Sequence, residues 1–270
     1  MPGTSLVKRD WQEGTVYVIQ FPRCGSTPSP SPFALKLETW LRIMDIPYVN
    51  ISNNFGKTSS RGQIPFIEFN GRHVPDSNQC IQYLKQQLHK SEPIDLSEQE
   101  KAVGHAFHAV IEDSLRWCLF YQRGQHPNWI ATDDGFLRNV KGLKKLGLST
   151  IGVHKIKGFL HKATHFQGIG RLSPEEVAGI AKRDLDSIST YLGDKLYMQG
   201  DRATTLDATA FGHLVQWYWG PVLNAEIKEH IEQKTPNIAA YLKRMKEKYW
   251  PDWEEITTTL EMNTKWKPEA

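Results

Sequence analysis

Residues 16 to 84 alternate strand and helix patterns in an order that few folds accommodate. The run from Val16 to Phe21 is β-branched and aromatic, which predicts a buried strand. Ser31-Pro32 predicts the start of a helix, with serine as the N-cap and proline in the first helical position. A second strand is predicted over residues 46 to 51. A strand, helix, strand unit of this length forms a right-handed crossover, so the two strands are expected to be parallel.

The rest of this region predicts an antiparallel pair and a second helix. Residues 66 to 69 are apolar apart from one glutamate and predict a third strand. Asn70-Gly71 is the pair that two-residue hairpins prefer, and residues 72 to 74 are expected to form the returning strand. Asp76-Ser77 then begins a helix. The predicted order is βαβ followed by ββα.

That order resembles the thioredoxin-like domain of the glutathione S-transferase superfamily. The segment from Gln63 to Glu68 resembles the strand-entry motif of that superfamily. The resemblance implies that Pro65 is cis and that the backbone at Ile64 binds the cysteinyl part of glutathione. Asp76-Ser77 resembles the acid–serine pair that holds the γ-glutamyl group of glutathione.

Within the superfamily, the chain is most similar to the failed-axon-connections and cadmium-responsive group, with the metaxins as more distant relatives. The motifs that carry this resemblance are Ser31-Pro32-Phe33, the string from Lys36 to Arg42, and Ile46-Pro47-Tyr48. The resemblance extends over nearly the whole chain. It implies the glutathione-transferase fold, in which an α/β thioredoxin-like domain is followed by an all-α domain.

The expected domain organisation follows from the resemblance and from the composition of the linker. A polar segment that contains proline, residues 91 to 95, separates two units. The remaining chain divides into an N-terminal lead, a thioredoxin-like domain, an all-helical domain and a tail, at residues 1–14, 15–90, 96–260 and 261–270.

Helix signals continue through the second domain. A long helix is predicted from Ser97 to Gln122, and the glycine-interrupted segment 124–171 predicts short helices and turns. Capping-box patterns at Ser173–Glu176 and Thr204–Asp207 predict two further helix starts. Residues 236 to 249 predict a last amphipathic helix, which a tail follows.

Composition limits the class of protein. The chain has 270 residues, 39% hydrophobic and 23% charged, which is ordinary for a soluble globular protein. A net charge of +3 gives no argument for nucleic acid or a membrane surface. No run approaches the ~20 apolar residues of a membrane span. The first fifteen residues lack the apolar centre of a signal peptide. The hydrophobic N-terminal anchor that is common in the group is also not seen. Together these two observations favour a soluble, cytoplasmic form.

The three cysteines favour a reducing compartment. They are odd in number and widely spaced, which argues for free thiols. No pair of cysteines has the spacing of metal ligands, and His105 and His108 lack an evident third ligand, so no metal is expected.

Activation of glutathione needs a group that lowers the pKa of its thiol. A hydroxyl that donates to the thiolate does this, and the positive end of a helix adds to the effect. Ser31 is the candidate, because it lies at the predicted start of the first helix and aligns with the cysteine of the cysteine-type classes. Simple N-capping is the alternative role of Ser31. Cys24, which follows Arg23 in the same loop, is the rival nucleophile for thiol-transfer chemistry.

The remaining site residues are assigned on the resemblance. Asp76 would bind the α-ammonium of glutathione and Ser77 the γ-glutamyl carboxylate. Lys57 or Gln63 would reach the glycyl carboxylate. The pocket for a hydrophobic second substrate is expected between the domains, and its candidate aromatic residues are Trp117, Phe120, Tyr121 and Trp217. Core packing is the alternative role for each of these aromatic residues.

The residues and the resemblance together support three hypotheses about function, and in the first of them the partners are two small molecules. The first hypothesis is a homodimeric, detoxifying enzyme that binds reduced glutathione as co-substrate and conjugates it to a small hydrophobic electrophile. The second is a non-catalytic interaction or scaffold protein of the failed-axon-connections type, since one fold serves several functions. A third is a thiol transferase that depends on Cys24.

Overall fold

The computed structural model describes residues 6–136, 138, 140, 142–221 and 224–266. The N-terminal domain is a four-stranded sheet with two helices. Its elements are β1 (Val16–Gln20), α1 (Pro32–Ile43), β2 (Tyr48–Ser52), β3 (Phe66–Phe69), β4 (Arg72–Pro75) and α2 (Ser77–Gln87). The strands lie in the order β2-β1-β3-β4, with β1 parallel to β2 and the other two pairs antiparallel. This confirms the predicted βαβ–ββα order.

Local signals in the sequence account for the turns and helix starts of this domain. Asn70 and Gly71 have φ values of 48° and 72°, the left-handed conformation that a type I′ hairpin needs at both positions. Ser31 is the N-cap of α1, and Pro32 is its first residue. The Ile64–Pro65 peptide bond is cis, as the resemblance implied.

The second domain is helical. Its helices are α3 (Glu98–Ala109), α4 (Arg116–Gln125), α5 (Gly142–Gly147), α6 (Val153–Gln167), α7 (Pro174–Leu192), α8 (Thr205–Tyr218), α9 (Ala225–Gln233), α10 (Pro236–Tyr249) and α11 (Trp253–Thr259). Single π-helical segments join α3 to α4, at Val110–Leu115, and α5 to α6, at Leu148–Gly152. Short 3-10 segments follow α4 and α6, at Pro127–Ala131 and Ile169–Arg171. The two domains together form the predicted fold class.

Two features of the second domain differ from the sequence-based expectation. The glycine-interrupted segment forms a continuous helical stretch from Gly142 to Gln167. Its last part, α6, packs on α4 and on the 3-10 segment after it, and this packing offsets the low helix propensity of Gly158. A further short helix, α11, precedes the tail. The predicted helix starts at Ser173 and Thr204 are confirmed.

Helix α8 lies at the centre of the molecule and packs against α1. A Cβ atom at Gly212 would lie 2.6 Å from Pro32 O and 2.6 Å from Lys36 N, so glycine is needed for the close approach of the two helices. The Asp207 carboxylate accepts a hydrogen bond from the N–H of Thr204, the N-cap of α8, at 2.8 Å, and another from the N–H of Met198 in the preceding connection at 2.7 Å.

Both ends of the described chain contact the sheet. The N–H groups of Val7 and Lys8 donate to the Glu68 carboxylate at 2.7 and 2.8 Å. At the other end, Asn263 exchanges two hydrogen bonds with the backbone of Asn50 in edge strand β2. Among the residues that the structure describes, no helix is both long and apolar enough to cross a membrane.

Candidate functional site

The register of the sheet brings three connections to one end of the N-terminal domain. Phe66, the first residue of β3, pairs with Ile19 near the end of β1 and with Pro75 at the end of β4. The loop before α1, the cis Ile64–Pro65 bond and the Asp76-Ser77 turn therefore open at the same edge of the sheet. Ser31, the Ile64–Pro65 bond and Asp76-Ser77 thus lie at one edge of the sheet, although Ser31 and Ser77 are 46 residues apart in the sequence.

The start of α2 offers complementary charges to a zwitterionic group. Asp76 has φ 72° and ψ 128°, a conformation that non-glycine residues adopt only where the surrounding structure imposes it. Its Oδ1 accepts from the N–H groups of Asn78 (2.9 Å) and Gln79 (3.2 Å), which leaves Oδ2 with capacity for an ammonium group. Ser77 is the first residue of α2, where the helix dipole favours a carboxylate.

Ser31 caps α1 and keeps a proton to donate. Its Oγ accepts the N–H of Ala34 at 3.3 Å, and the residue is largely buried, with 9% of its surface accessible. Since a hydroxyl has one donor and two acceptor sites, capping does not prevent Ser31 from donating to an anion. The two roles that the sequence left open for Ser31 are compatible.

Three aromatic rings surround a guanidinium next to the first turn of α1. Arg116 lies over the rings of Trp117 (4.1 Å), Phe120 (5.2 Å) and Phe33 (5.4 Å). Its Nε donates to the backbone oxygen of Glu112 at 2.6 Å. Burial lowers the pKa of Arg116, against the opposing effect of nearby carboxylates. Two of the predicted pocket residues, Trp117 and Phe120, therefore form a half-buried apolar surface with a cation beside Phe33.

The other two predicted pocket residues lie elsewhere. Trp217 is 2% exposed and belongs to the core of the helical domain. Tyr121 donates its hydroxyl to the Leu172 oxygen at 3.3 Å and lines a separate cavity of about 300 Å³ with His161 and His165. The structure brings Trp117 and Phe120 together but gives Tyr121 and Trp217 different surroundings.

Cys24 is fully buried in the loop between β1 and α1. Its Sγ donates to the Thr27 oxygen at 3.0 Å, and the preceding Arg23 forms a two-pronged ion pair with Glu38 at 2.6 and 2.9 Å. All three cysteines of the chain are free thiols. Because a disulfide substrate has to reach the sulfur, thiol exchange at Cys24 requires this loop to open.

A buried arginine holds the backbone that leads into Ser31. Arg123 donates through Nη1 to the Pro30 oxygen and through Nη2 to Gln216 Oε1, both at 2.6 Å. Gln216 in turn donates to the Ser29 oxygen at 3.1 Å. Burial lowers the pKa of Arg123 to about 10. Sequence reasoning missed Arg123, since nothing local to α4 indicates that its partners are carbonyl groups of a distant loop.

A second missed feature is a buried ionic cluster beneath Ser77. The Lys36 Nζ donates to Asn78 Oδ1 and to Glu112 Oε1, each at 2.5 Å. The Asn78 side chain donates to the other oxygen of Glu112 at 2.9 Å, and His108 Nε2 lies 3.3 Å from that oxygen. Burial alone would raise the pKa of Glu112, but His108 and Lys36 outweigh burial and lower it. The cluster ties α1 and the start of α2 to the helical domain.

His213 is buried beside the same cluster with one ring nitrogen unbonded. Its Nδ1 lies 2.9 Å from the Thr209 oxygen, whereas Nε2 has no hydrogen-bond partner among the described residues. The ring meets Phe33 edge-on, with 5.3 Å between the ring centres. Burial lowers the pKa of His213 to about 4.

The positions predicted for the glycyl carboxylate are on the surface. Lys57 and Gln63 are both exposed in the connection between β2 and β3. Two hydrogen bonds between Ser59 and the backbone of Gln63 stabilise this connection, at 2.9 and 3.2 Å. In the part of the chain that the structure describes, no group of three histidine, cysteine or acidic side chains is arranged to hold a metal ion.

Two family models match the chain. A glutathione S-transferase N-terminal domain matches residues 32–129, and a glutathione S-transferase C-terminal domain matches residues 181–245. A glutathione S-transferase of Ceriporiopsis subvermispora, solved in complex with glutathione, superposes with a TM-score of 0.55 at 17% identity, covering 86% of this chain and 97% of that one. At this identity, the structural likeness shows the fold alone.

Two curated relatives are more similar in sequence. Failed axon connections of Drosophila melanogaster is 34% identical over 269 residues, which is 95% of this chain and 63% of that protein. The isoprene-epoxide–glutathione S-transferase of Rhodococcus sp. strain AD45 is 29% identical over 234 residues, which is 82% of this chain and 94% of that protein. The chain thus spans less than two thirds of the length of Failed axon connections.

Proposed function

The chain belongs to the glutathione S-transferase superfamily, and we propose that it binds reduced glutathione, ionises its thiol and transfers the thiolate to a small hydrophobic electrophile. The observation that carries this proposal is the common edge of the sheet at which the starts of α1 and α2 and the Ile64–Pro65 bond all open. In the proposal, Asp76 accepts the α-ammonium of glutathione and Ser77 donates to its γ-glutamyl carboxylate. The backbone at Ile64 binds the cysteinyl part.

The thiol of glutathione would lie at the start of α1. There Ser31 donates to the sulfur, and the helix dipole and the Arg116 guanidinium add positive potential, so that the thiol loses its proton to solvent more readily. Lys57 or Gln63 is the candidate contact for the glycyl carboxylate. Cys24 is a less favourable nucleophile, because its sulfur is buried and bonded to the Thr27 oxygen.

A small epoxide is the electrophile that we propose to test first. The name of the Rhodococcus relative gives an epoxide as its substrate, and the half-buried rings of Phe33, Trp117 and Phe120 offer an apolar surface. In the reaction, the thiolate sulfur attacks an epoxide carbon, the carbon–oxygen bond breaks, and the resulting alkoxide takes a proton from solvent.

A calorimetric titration with reduced glutathione tests the binding step. Wild-type protein is expected to bind, and Ser77→Ala is expected to weaken binding about 10- to 100-fold, since a hydrogen bond to a charged group contributes about 1.5–3 kcal/mol. Ser173→Ala, which removes a serine hydroxyl at the start of α7, far from the proposed site, is the control and should bind normally. A folded protein that gives no heat at millimolar glutathione contradicts the proposal.

The assay for the chemical step compares Ser31→Ala with wild type. Loss of the donor to the thiolate should lower kcat/KM for the epoxide about 100-fold. It should also raise the pKa of the thiol of bound glutathione, which a pH titration followed by thiolate absorbance measures. Cys24→Ser should leave conjugation unchanged. If Cys24→Ser abolished conjugation and Ser31→Ala left it unchanged, Cys24 would be the residue that the reaction needs.

A non-catalytic interaction role is the second candidate. It is favoured by the 34% identity to Failed axon connections and by the burial of the loop before Ser31. Absence of both binding and conjugation, in a folded protein, is the outcome that this role expects.

We also propose that the protein is a homodimer, that it works in the reducing cytoplasm, and that its role is detoxification. The three free thiols support a reducing compartment. Light scattering measures the mass of the protein in solution and tests the dimer.

A further inference from the structure

The basic residues of the chain are unevenly distributed. The segment between Asp134 and Glu175 contains eight lysines and arginines and no acidic residue. The net charge of +3 therefore divides into +8 for this segment and −5 for the rest of the chain. The small overall charge, which gave no argument for a membrane surface, is therefore the sum of a strongly cationic region and an acidic remainder.

Most of this segment is one helical stretch on the surface of the molecule. It extends through α5, the π-helical segment and α6, from Gly142 to Gln167. One side of α6 packs against the rest of the protein: Val153 lies in a cluster with Trp129 and Ile130, and Leu160 is buried. The other side faces solvent.

The solvent side carries large apolar residues. Five of the nine large exposed apolar side chains that the structure describes lie in this stretch, and they are Leu143, Leu146, Ile151, Phe159 and Phe166. Leu143 is 87% exposed and Phe166 is 72% exposed, so neither contributes to the core. Because most exposed large apolar side chains of a soluble protein are scattered singly, their concentration in one stretch of 26 residues indicates an interaction surface.

Lysines alternate with these apolar residues along α6. Phe159 and Phe166 are seven residues apart, which places them on one face two turns from each other. Lys155 and Lys162 each precede one of the two rings by four residues and therefore lie on the same face. The Lys162 Nζ lies 6.0 Å from the Phe166 ring centre. We call this side of residues 142–167 the cationic face.

We infer that the cationic face binds the surface of an anionic lipid bilayer. A helix with a lysine-rich surface and exposed Phe and Leu side chains lies in the plane of the membrane interface, with its apolar groups below the headgroups and its lysines among them. Among the described residues, no helix, α6 included, is long and apolar enough to span the bilayer. The arrangement thus predicts a protein that rests on the membrane.

The apolar residues favour a bilayer over a nucleic acid. Phosphates in water attract the lysines but give no favourable environment to Leu143, Leu146 and Ile151, which cannot stack on bases as aromatic rings can. A headgroup interface accommodates both groups at once. The observation is independent of the glutathione site, since none of the residues proposed for that site lies within residues 142–167.

Co-sedimentation of the full chain with lipid vesicles tests the inference. The vesicles are phosphatidylcholine alone or phosphatidylcholine with phosphatidylserine, at low and high salt. We expect binding to the anionic vesicles that decreases with salt, and much weaker binding to the neutral ones. Phe159→Ser with Phe166→Ser should lower the partition coefficient at least about tenfold, because both rings lose a buried environment.

The charge contribution is measured with a triple variant. This variant combines Lys155→Gln, Lys157→Gln and Lys162→Gln. We expect it to lower the partition coefficient onto anionic vesicles on the order of 100-fold, because each lysine near the surface contributes a factor of about five. The matched control replaces three exposed lysines outside the stretch, Lys90, Lys234 and Lys243, by glutamine and should bind almost normally. Thermal melts establish that all variants fold.

Three results would overturn the inference. One is wild-type protein that does not sediment with anionic vesicles at low salt. Another is equal loss of binding in the control triple variant, which would indicate non-specific attraction. The third is full binding by the double phenylalanine variant, together with equal affinity for a polyanion such as polyuridylic acid, which would indicate a nucleic-acid site.

Discussion

His213 is a buried titratable residue that cannot be charged without cost. The charged groups that face its ring are Glu112, Lys36 and Arg116, and burial is the main reason that its pKa falls to about 4. The unfolded chain has a histidine pKa of about 6.5. Between these two values the unfolded state binds more protons than the folded state, so the contribution of His213 to stability is complete above pH 6.5 and decreases as the pH falls towards 4.

This linkage gives a prediction for His213→Gln. Between pH 7.5 and pH 5, the wild-type free energy of unfolding should fall by about 2 kcal/mol more than that of the variant, since glutamine does not titrate. Urea denaturation at the two pH values measures the difference. Other carboxylates and histidines contribute equally to both proteins and cancel. Parallel pH dependence of the two proteins would show that His213 titrates near its ordinary pKa in the folded state.

Single residues also show where sequence reasoning was sufficient. Ser31, Asn70, Gly71 and Ser173 adopt the predicted caps and turns, because each signal depends on a few neighbouring residues. The burial of Trp217 in the core could not be separated from a pocket role by sequence alone, since an apolar helix has the same pattern in both cases.

At the level of elements, helix α1 explains why the string from Lys36 to Arg42 is distinctive. Its three charged residues are all buried, and each is paired with a different part of the chain. Lys36 pairs with Glu112, Glu38 with Arg23, and Arg42 with Asp252. The helix lies between the sheet and the helical domain, so every charge on it must find its partner within the protein.

Removal of one of these charges should be costly. Lys36→Met is expected to lower the free energy of unfolding by about 3–5 kcal/mol, because Glu112 is left buried without the lysine that pairs with it. Lys101→Met is the matched control: it breaks an ion pair whose partners are 56% and 90% exposed, and it should cost less than about 0.5 kcal/mol. Urea denaturation of each variant gives the two values.

The double variant Lys36→Met with Glu112→Leu separates pairing from packing. If the loss in the single variant comes from the unpaired carboxylate, replacing both charges should recover much of the stability. A double variant as unstable as the single one would instead assign the loss to the packing around α1 or to the freed Asn78.

Over the whole molecule, the two ends of the described chain close around the sheet. Asn263 bonds to both backbone groups of Asn50, at 2.6 and 2.9 Å, and so occupies the free edge of β2. The Met262 oxygen accepts from Arg23 at 2.8 Å and from the Asn50 side chain at 3.2 Å. The tail thus covers the buried Arg23–Glu38 pair and joins the last residues of the helical domain to the first domain.

This contact predicts that the tail stabilises the whole fold. Asn263→Ala should lower the free energy of unfolding by about 1–3 kcal/mol, because it removes two hydrogen bonds to an edge strand. Glu261→Ala, an exposed neighbour, should change it by less than about 0.5 kcal/mol. Denaturant midpoints compare the two. Equal stability of both variants would show that the tail only rests on the sheet.

The sequence by itself determined the order of strands and helices in the N-terminal domain, the hairpin at Asn70-Gly71 and the caps of α1 and α7, because these depend on interactions within a few residues. It also indicated the superfamily through motifs such as Ile64-Pro65 and Asp76-Ser77. Only the tertiary structure decided which charges are buried, which aromatic residues adjoin Ser31, and which side of residues 142–167 faces solvent. The physical reason is that pairing and burial depend on partners tens to hundreds of residues away, which local patterns do not encode.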